Sequence, residues 1–133
     1  MSKVTMIIPV YNSEKYIGKC LDSILQQTYQ DFEILVVNDG SKDNSQEIIN
    51  KYKEKYPDKI NVIEQENKGV ARTRNESIQK VKSEYIMFMD NDDYLDKDYI
   101  ETYVKEIESD NYDAVVGGYR RITEKNKILK TLK

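Results

Sequence analysis

Apolar, β-branched runs alternate with amphipathic helical segments along most of this sequence, and this alternation restricts the fold more than any other feature. The apolar runs cover residues 4–10, 32–37, 60–64 and 85–89. Runs of this length and composition are typical of strands buried on both faces of a parallel sheet. Helical periodicity follows each run, over residues 14–29, 44–56, 70–81 and 98–109. The pattern therefore predicts an α/β fold with a mostly parallel sheet, right-handed crossovers and helices on both faces.

Further predictions concern the number of strands and the ends of the elements. The sequence YDAVVGGYRRI at residues 112–122 predicts a fifth strand, with a kink or bulge at Gly117 and Gly118. The last eleven residues are rich in lysine, so we expect a short helix or a frayed tail there. Ser13 is placed to cap the first helix. The length of 133 residues fits one domain, 1–133, with about five strands.

Composition excludes several classes of function. The formal net charge is -3 and the basic residues are scattered, which disfavours a nucleic-acid-binding surface. No apolar run is long enough to span a membrane, and the N-terminus does not resemble a secretory signal. Cys20 is the only cysteine, which excludes a disulfide scaffold and makes a cytoplasmic location the simplest expectation. The chain has no histidine, so histidine acid–base chemistry and histidine metal ligands are excluded within it.

A cluster of acids directly follows the fourth apolar run. Asp90, Asp92 and Asp93 lie within four residues of the strand that ends at position 89. Adjacent carboxylates repel each other unless a cation or hydrogen-bond donors neutralise them. Mg²⁺ and Mn²⁺ favour such oxygen ligands together with substrate phosphates. A solvated turn is the simpler explanation, but it does not account for three acids abutting an apolar strand, so we predict a divalent metal site here.

Three other polar groups follow the remaining predicted strands. They lie at residues 11–12, 38–41 and 67–69, and together with residues 90–93 they form four groups at strand ends. Ligands bind beyond the carboxyl ends of the strands in open α/β sheets, so the four groups predict one shared site. The sequence lacks a GxGxxG motif after the first strand and a GxxxxGK[ST] motif anywhere. A dinucleotide oxidoreductase and a P-loop NTPase are therefore both disfavoured.

Four motifs in order resemble the family 2 glycosyltransferases, which have the GT-A fold and use nucleotide-sugar donors. They are IIPVYN at 7–12, VVNDGSKDNS at 36–45, NKGVARTRN at 67–75 and FMDNDDYL at 88–95. The resemblance covers residues 4–96 and depends on the order and spacing of the motifs. One departure is visible: the segment that usually reads Ala-Arg-Asn is here Thr73-Arg74-Asn75, with Arg72 beside it.

The resemblance implies roles for residues on the nucleotide side of the site. Asp39 would accept a hydrogen bond from the imide N–H of uracil, and Pro9, Val10 and Tyr11 would line the base pocket. An aspartate at position 39 would equally suit an Asx turn or a helix N-cap. Pro9 could simply end a strand, and Tyr11 could pack on a helix.

The resemblance also implies roles on the phosphate side. Asp90 would lie in the ribose and metal region, and Asp92 would bind the metal through the donor diphosphate. Arg74, with Asn67 and Lys68, would meet phosphate or sugar oxygens. For Lys68 a solvated loop charge is an equally good explanation.

The activity implied by the resemblance is metal-dependent, inverting transfer of a sugar from a UDP-sugar to an acceptor hydroxyl, with Mn²⁺ or Mg²⁺. In this family the second half of the catalytic domain supplies the acceptor site and the general base, so we expect the base beyond residue 133. We therefore expect a truncated, donor-binding portion that binds UDP with metal but transfers sugar poorly by itself. The family also suggests polysaccharide or cell-surface glycan assembly, at the cytoplasmic face of a membrane in the full-length protein, although this chain has no membrane segment.

Two other functions remain open from the residues alone. The acids from Asp90 to Glu101 resemble a calcium-binding EF-hand loop, but Leu95 occupies the position that requires glycine and Tyr94 replaces a ligand. A sugar-phosphate nucleotidyltransferase resembles a different start, with a glycine-rich basic loop after the first strand, where this sequence reads YNSEK.

Overall fold

The computed structural model describes residues 2–109, 114–116 and 127–130, and these residues form one parallel sheet with four helices. The strands are β1 Val4–Val10, β2 Phe32–Asp39, β3 Ile60–Gln65, β4 Tyr85–Phe88, β5 Ala114–Val116 and β6 Lys127–Lys130. The helices are α1 Ile17–Leu25, α2 Ser45–Lys55, α3 Val70–Ile78 and α4 Tyr99–Ser109. The strand order is β3-β2-β1-β4-β6-β5, and every neighbouring pair is parallel.

The α/β class, the first four strands and all four helices are confirmed, while three details differ. The described residues contain six strands where about five were expected. The sixth, Lys127–Lys130, lies in the segment predicted as a helix or frayed tail, because it pairs with both β4 and β5. The predicted fifth strand is present over Ala114–Val116, and Gly117 and Gly118 lie outside the described residues. Ser13 does not cap α1 with its side chain; its carbonyl accepts N–H bonds from Tyr16 and Ile17 instead.

Alternation along the strands divides the core into two layers. Val4, Met6, Ile8 and Val10 of β1 are fully buried on the side that α1, α2 and α4 cover. The opposite side carries a smaller apolar cluster covered by the end of α3, formed by Ile7, Leu35, Val37, Ile86 and Phe88 with Ile63, Ile78 and Val81. Helices therefore cover both faces, as predicted, but three lie on one face and one on the other.

The direction of strand addition reverses at β1. The chain adds β2 and then β3 on one side of β1, and after α3 it crosses to place β4 on the other side. The carboxyl ends of β1 and β4 therefore lie side by side at the point of reversal. Ligands bind at such reversal points in open α/β sheets. Within the part of the chain that the structure describes, no helix is both long and apolar enough to cross a bilayer.

Candidate functional site

A cleft of about 200 Å³ lies at the carboxyl edge of the sheet, where the strand order reverses. It is lined by Pro9, Val10, Tyr11, Asp39, Asn67, Gly69, Val70 and Asn91. These residues come from the ends of β1, β2 and β3, the start of α3, and the segment after β4. The four polar groups predicted to share one edge therefore do meet around one cleft.

Strand alternation explains why Asp39 points toward this cleft. Val37 of β2 belongs to the apolar layer on the α3 side, and Asp39 lies two residues further along the same face. By the same alternation Pro9 follows Ile7 on that face of β1. The apolar layer under α3 therefore becomes the floor of a polar cleft at the end of the strands.

Three N–H groups bind the carboxylate of Asp39, which is only 3% exposed. Its Oδ1 accepts hydrogen bonds from Gln65 Nε2 at 3.0 Å and from the Lys68 backbone N–H at 2.7 Å. Its Oδ2 accepts one from the Gly69 N–H at 3.0 Å, and its backbone carbonyl accepts one from Asn67 Nδ2 at 3.0 Å. Asp39 thus anchors the 67–69 loop, as well as facing the cleft.

These hydrogen bonds also keep the carboxyl group of Asp39 ionised. Burial alone would raise the pKa of its carboxyl, but hydrogen bonds from Gln65, the amides of Lys68 and Gly69, and Thr73 outweigh burial and hold the pKa below its usual 3.8. The carboxylate is therefore ionised at neutral pH and acts only as an acceptor.

The loop after β1 is joined to the loop after β2. Asn12 has a left-handed backbone with φ 50°, and its N–H donates to Ser41 Oγ at 2.9 Å. Its own Oδ1 accepts the Lys42 N–H at 2.8 Å, and the Ser13 N–H donates to Ser45 Oγ at 2.8 Å. Tyr11, just before this joint, is 47% exposed and offers its ring to the cleft.

Gly40 permits the close approach of two loops on the Asp39 side. Its φ of +77° is left-handed, and an added Cβ would lie 2.7 Å from the backbone N of Asn67. No side chain fits there without moving the loop, so this glycine is required by the local geometry.

The acids after β4 form a compact cluster at the rim of the cleft. One carboxylate oxygen from each of Asp90, Asp92 and Asp93 lies within 4.8 Å of the others. Asn91 lines the cleft between the first two, and its Nδ2 donates to the carbonyl of Pro9 at 3.0 Å. The oxygen ligands and their spacing suit Mg²⁺ or Mn²⁺.

The thiol of Cys20 lies beneath this acidic cluster, 3.8 Å from the Asp90 carbonyl. Burial, followed by the charges of Asp93, Asp92 and Asp90, raises the pKa of Cys20 to about 12. The thiol is therefore protonated at neutral pH and is a packing group, not a nucleophile.

The two side chains predicted to bind phosphate, Arg74 and Lys68, form ion pairs with acidic residues in this structure. The Nη2 atom of Arg74 lies 2.8 Å from Asp90 Oδ1, and its guanidinium stands over the Phe88 ring at 5.9 Å. The Nζ atom of Lys68 lies 2.7 Å from Glu76 Oε1. Arg74 thus meets the acidic segment, whereas the side chain of Lys68 is engaged by α3.

The structure brings the predicted site residues together in two groups. Pro9, Val10, Tyr11, Asp39 and Asn67 line the cleft itself. Arg74, Asp90 and Asp92 lie at the acidic rim next to Asn91.

Four residues that contribute to the site were absent from the sequence-based set: Gln65, Gly69, Val70 and Asn91. Asn91 could have been inferred from its place between two predicted ligands. Gln65 is the register partner of Asp39 in the β2–β3 pair.

The residues before the acids exclude the calcium-binding alternative. An EF-hand requires a helix on both sides of its loop. Here the parallel strand β4, Tyr85–Phe88, precedes Asp90, and it pairs with β1 in the interior of the sheet.

Comparisons with known proteins agree with this fold. The family model described as glycosyl transferase family 2 matches residues 5–132. Glycosyltransferase GlyA of Streptococcus pneumoniae is 46% identical over 122 residues, which cover 92% of this chain and 17% of GlyA. Poly(ribitol-phosphate) beta-glucosyltransferase of Bacillus spizizenii is 46% identical over 97 residues, 70% of this chain and 15% of that protein. The chain therefore spans a minor part of these relatives.

Solved structures show the same architecture. S. aureus TarS in complex with UDP-GlcNAc superposes with a TM-score of 0.75 and 32% identity, over 86% of this chain and 34% of the TarS chain. The mannosyltransferase PcManGT from Pyrobaculum calidifontis, in complex with GDP-Man and Mn²⁺, gives a TM-score of 0.79 and 26% identity, over 86% and 35%. The family model, the relatives and the fold agree, and the chain belongs to glycosyl transferase family 2.

Proposed function

We propose that this chain is the donor-binding part of a glycosyltransferase that moves a sugar from a UDP-sugar to an acceptor hydroxyl, with inversion and with a divalent metal. The observation that carries the proposal is the cleft at the strand reversal, which joins the buried Asp39 carboxylate to the acidic cluster through Asn91. A nucleotide needs these two features at opposite ends: an acceptor for the base and cation-binding oxygens for the diphosphate.

The base would lie between Tyr11 and Asp39. Tyr11 offers an exposed ring for stacking, and Pro9 and Val10 supply an apolar wall. Asp39 is ionised and retains an acceptor position for a ring N–H. TarS, with a similar fold, is in complex with UDP-GlcNAc, which supports a uracil nucleotide.

The diphosphate would lie toward the acidic rim. Asp90 and Asp92 would hold Mg²⁺ or Mn²⁺, and PcManGT is in complex with Mn²⁺. A metal bound here supplies Lewis-acid stabilisation of the charge that develops on the leaving diphosphate. Arg74, which already stands beside Asp90, supplies a second positive charge near the same oxygens.

We infer a glycan or other polyol as the acceptor. The poly(ribitol-phosphate) glucosyltransferase among the relatives supports polysaccharide synthesis as the setting. The free, buried thiol of Cys20 is consistent with a reducing compartment such as the cytoplasm. Among the described residues we assign no general base for the acceptor hydroxyl.

Calorimetry of UDP binding with Mn²⁺ and with a chelator tests the proposal. We expect binding at least about tenfold tighter with the metal, which corresponds to roughly 1.4 kcal/mol. Asp92→Asn should remove most of that difference in affinity. The control Asp58→Asn, in the exposed turn before β3, should leave the difference unchanged. Equal affinity with metal and with chelator would refute the metal role, and absence of UDP binding would refute the donor site.

A further inference from the structure

The two carboxylate oxygens of Asp39 are occupied unequally. Oδ1 accepts two hydrogen bonds, from the Gln65 amide and the Lys68 N–H, whereas Oδ2 accepts one, from the Gly69 N–H. Each carboxylate oxygen offers about two acceptor positions. Counted over these N–H donors, Oδ1 is full and Oδ2 retains one position for a ligand; the Thr73 hydroxyl also lies close to the carboxylate.

We infer that Gln65 is a specificity-determining residue, which makes the cleft accept a base with one ring N–H and reject guanine. Uracil presents a single N3–H between two carbonyls, and one position on Oδ2 satisfies it. Guanine presents two adjacent donors, N1–H and the exocyclic amine, which require one acceptor position on each carboxylate oxygen. The Gln65 amide fills the position on Oδ1 that guanine would need. This inference rests on the proposed donor site and names how that site chooses its nucleotide.

The structure holds the Gln65 amide in place from two elements. Gln65 pairs with Asp39 in the β2–β3 register, so the two side chains project from neighbouring strands in the same direction. Its Nε2 also donates to Thr73 Oγ1 of α3 at 3.1 Å, and Thr73 is 1% exposed. Both N–H groups of the amide are therefore used, and the amide cannot rotate away without losing two bonds.

Among the three N–H donors to the Asp39 carboxylate, Gln65 is also the one that a substitution can remove. The other two donors to the carboxylate are the backbone amides of Lys68 and Gly69, which are present whatever side chains the loop carries. The fold alone does not determine the base, since TarS is in complex with UDP-GlcNAc and PcManGT with GDP-Man. A side-chain donor to Asp39 is a direct way to set that choice.

The test measures dissociation constants of UDP, GDP and CDP with Mn²⁺ by calorimetry. The proteins are wild type, Gln65→Met, Gln65→Met combined with Thr73→Val, and the control Gln79→Met, at an exposed position after α3. The double variant is included because the Thr73 hydroxyl, which already interacts with Asp39, can occupy the acceptor position that Gln65 leaves. Thermal melting of each protein establishes that it is folded.

We expect the wild type to prefer UDP, with CDP weak because cytosine has no hydrogen on N3. Removing the Gln65 donor should lower the UDP preference over GDP by about three- to tenfold, the effect of about one hydrogen bond, mainly through tighter GDP binding. The control should keep the wild-type ratio.

An unchanged ratio in both Gln65 variants, with UDP still bound, would overturn the inference and leave the donor site standing. An equal loss of UDP and GDP affinity would also overturn it, because it would show that Gln65 only supports the fold. Failure of the folded wild type to bind any nucleotide would overturn the donor site and the inference together.

Discussion

The two ends of the cleft hold their carboxylates in opposite ways. At one end Asp39 is 3% exposed and is bound by three N–H groups from a strand and a loop. At the other end the Asp90 side chain is 48% exposed and pairs with Arg74, and Asp92 is exposed. The first is built into the fold, whereas the second sits on a rim where a ligand can reach it.

This difference separates stability from function. A buried carboxylate that accepts three hydrogen bonds supports the structure around it, so altering it should affect folding and binding together. An exposed acid contributes little to stability, so altering it should affect ligand binding alone. Substitutions at the two ends of the cleft should therefore differ in their effects on the free energy of unfolding and on UDP affinity.

Asp39→Asn should have the largest effect. Its amide group cannot accept all three N–H bonds, and leaving a buried donor unpaired lowers the free energy of unfolding by about 1–3 kcal/mol. UDP affinity should fall at least about tenfold, because the acceptor for the ring N–H is lost as well. Urea denaturation and calorimetry measure the two losses. Asp58→Asn is the matched control, and a fully stable Asp39→Asn protein would contradict the contrast.

Gly40→Ala tests whether the loop that Asp39 anchors is as constrained as the structure indicates. The new Cβ would lie 2.7 Å from the Asn67 backbone at a left-handed φ, so the free energy of unfolding should fall by about 1–3 kcal/mol. The matched control is Gly18→Ala, in α1, where the Cβ would lie 3.5 Å from Tyr52 Oη and alanine favours the helix. Equal stability of the two variants would show that the loop adapts freely.

Asp92→Asn should separate binding from folding at the acidic rim. Removing a metal ligand should weaken Mn²⁺-dependent UDP binding by about tenfold, while the free energy of unfolding should change by no more than about 0.5 kcal/mol. Calorimetry with the metal and urea denaturation without it measure the two quantities. A large loss of stability would mean that the rim is as much part of the fold as Asp39.

Lowering the pH should reveal the same contrast between the two ends of the cleft, with the smallest effect on stability. The pKa of Asp39 is lower in the folded protein than its usual 3.8, so its contribution to stability is present above that pH and is lost as the pH falls further. Between about pH 4 and pH 3 the wild type should lose stability more steeply than Asp39→Asn. Asp43, whose pKa hydrogen bonds also hold low despite burial, leaves a residual slope in the variant. Denaturation midpoints of the wild type and of Asp39→Asn across this range provide the measurement.

The sequence predicted the sheet and the cleft because buried parallel strands leave a strong local pattern. The first strand was placed at residues 4–10, where β1 lies, since its apolar run is bounded by polar residues on both sides. Asp39 could be assigned to the site because it follows an apolar run in a motif that resembles family 2, and the structure shows that alternation places it on the α3 face. Most of the predicted site residues therefore lie at the ends of strands, which the sequence pattern identifies.

The parts that sequence reasoning missed depend on contacts between distant residues. Gln65 acquires its role from the β2–β3 register and from Thr73, neither of which is visible in a local pattern. The strand Lys127–Lys130 is lysine-rich and weakly apolar, and its pairing with β4 determines its conformation. Ser13 was expected to cap α1, but its N–H donates to Ser45 Oγ of α2 and its hydroxyl donates to the Tyr11 carbonyl.

The most direct test of a cleft with two unlike ends compares uridine with UDP. Uridine can occupy only the Asp39 end, whereas UDP extends to the acidic rim. We predict that Mn²⁺ tightens UDP binding at least about tenfold and leaves uridine binding unchanged, while Asp39→Asn weakens both ligands by a similar factor. If Mn²⁺ tightens uridine binding as much as UDP binding, or if Asp39→Asn leaves uridine binding unchanged, the account of the cleft is wrong.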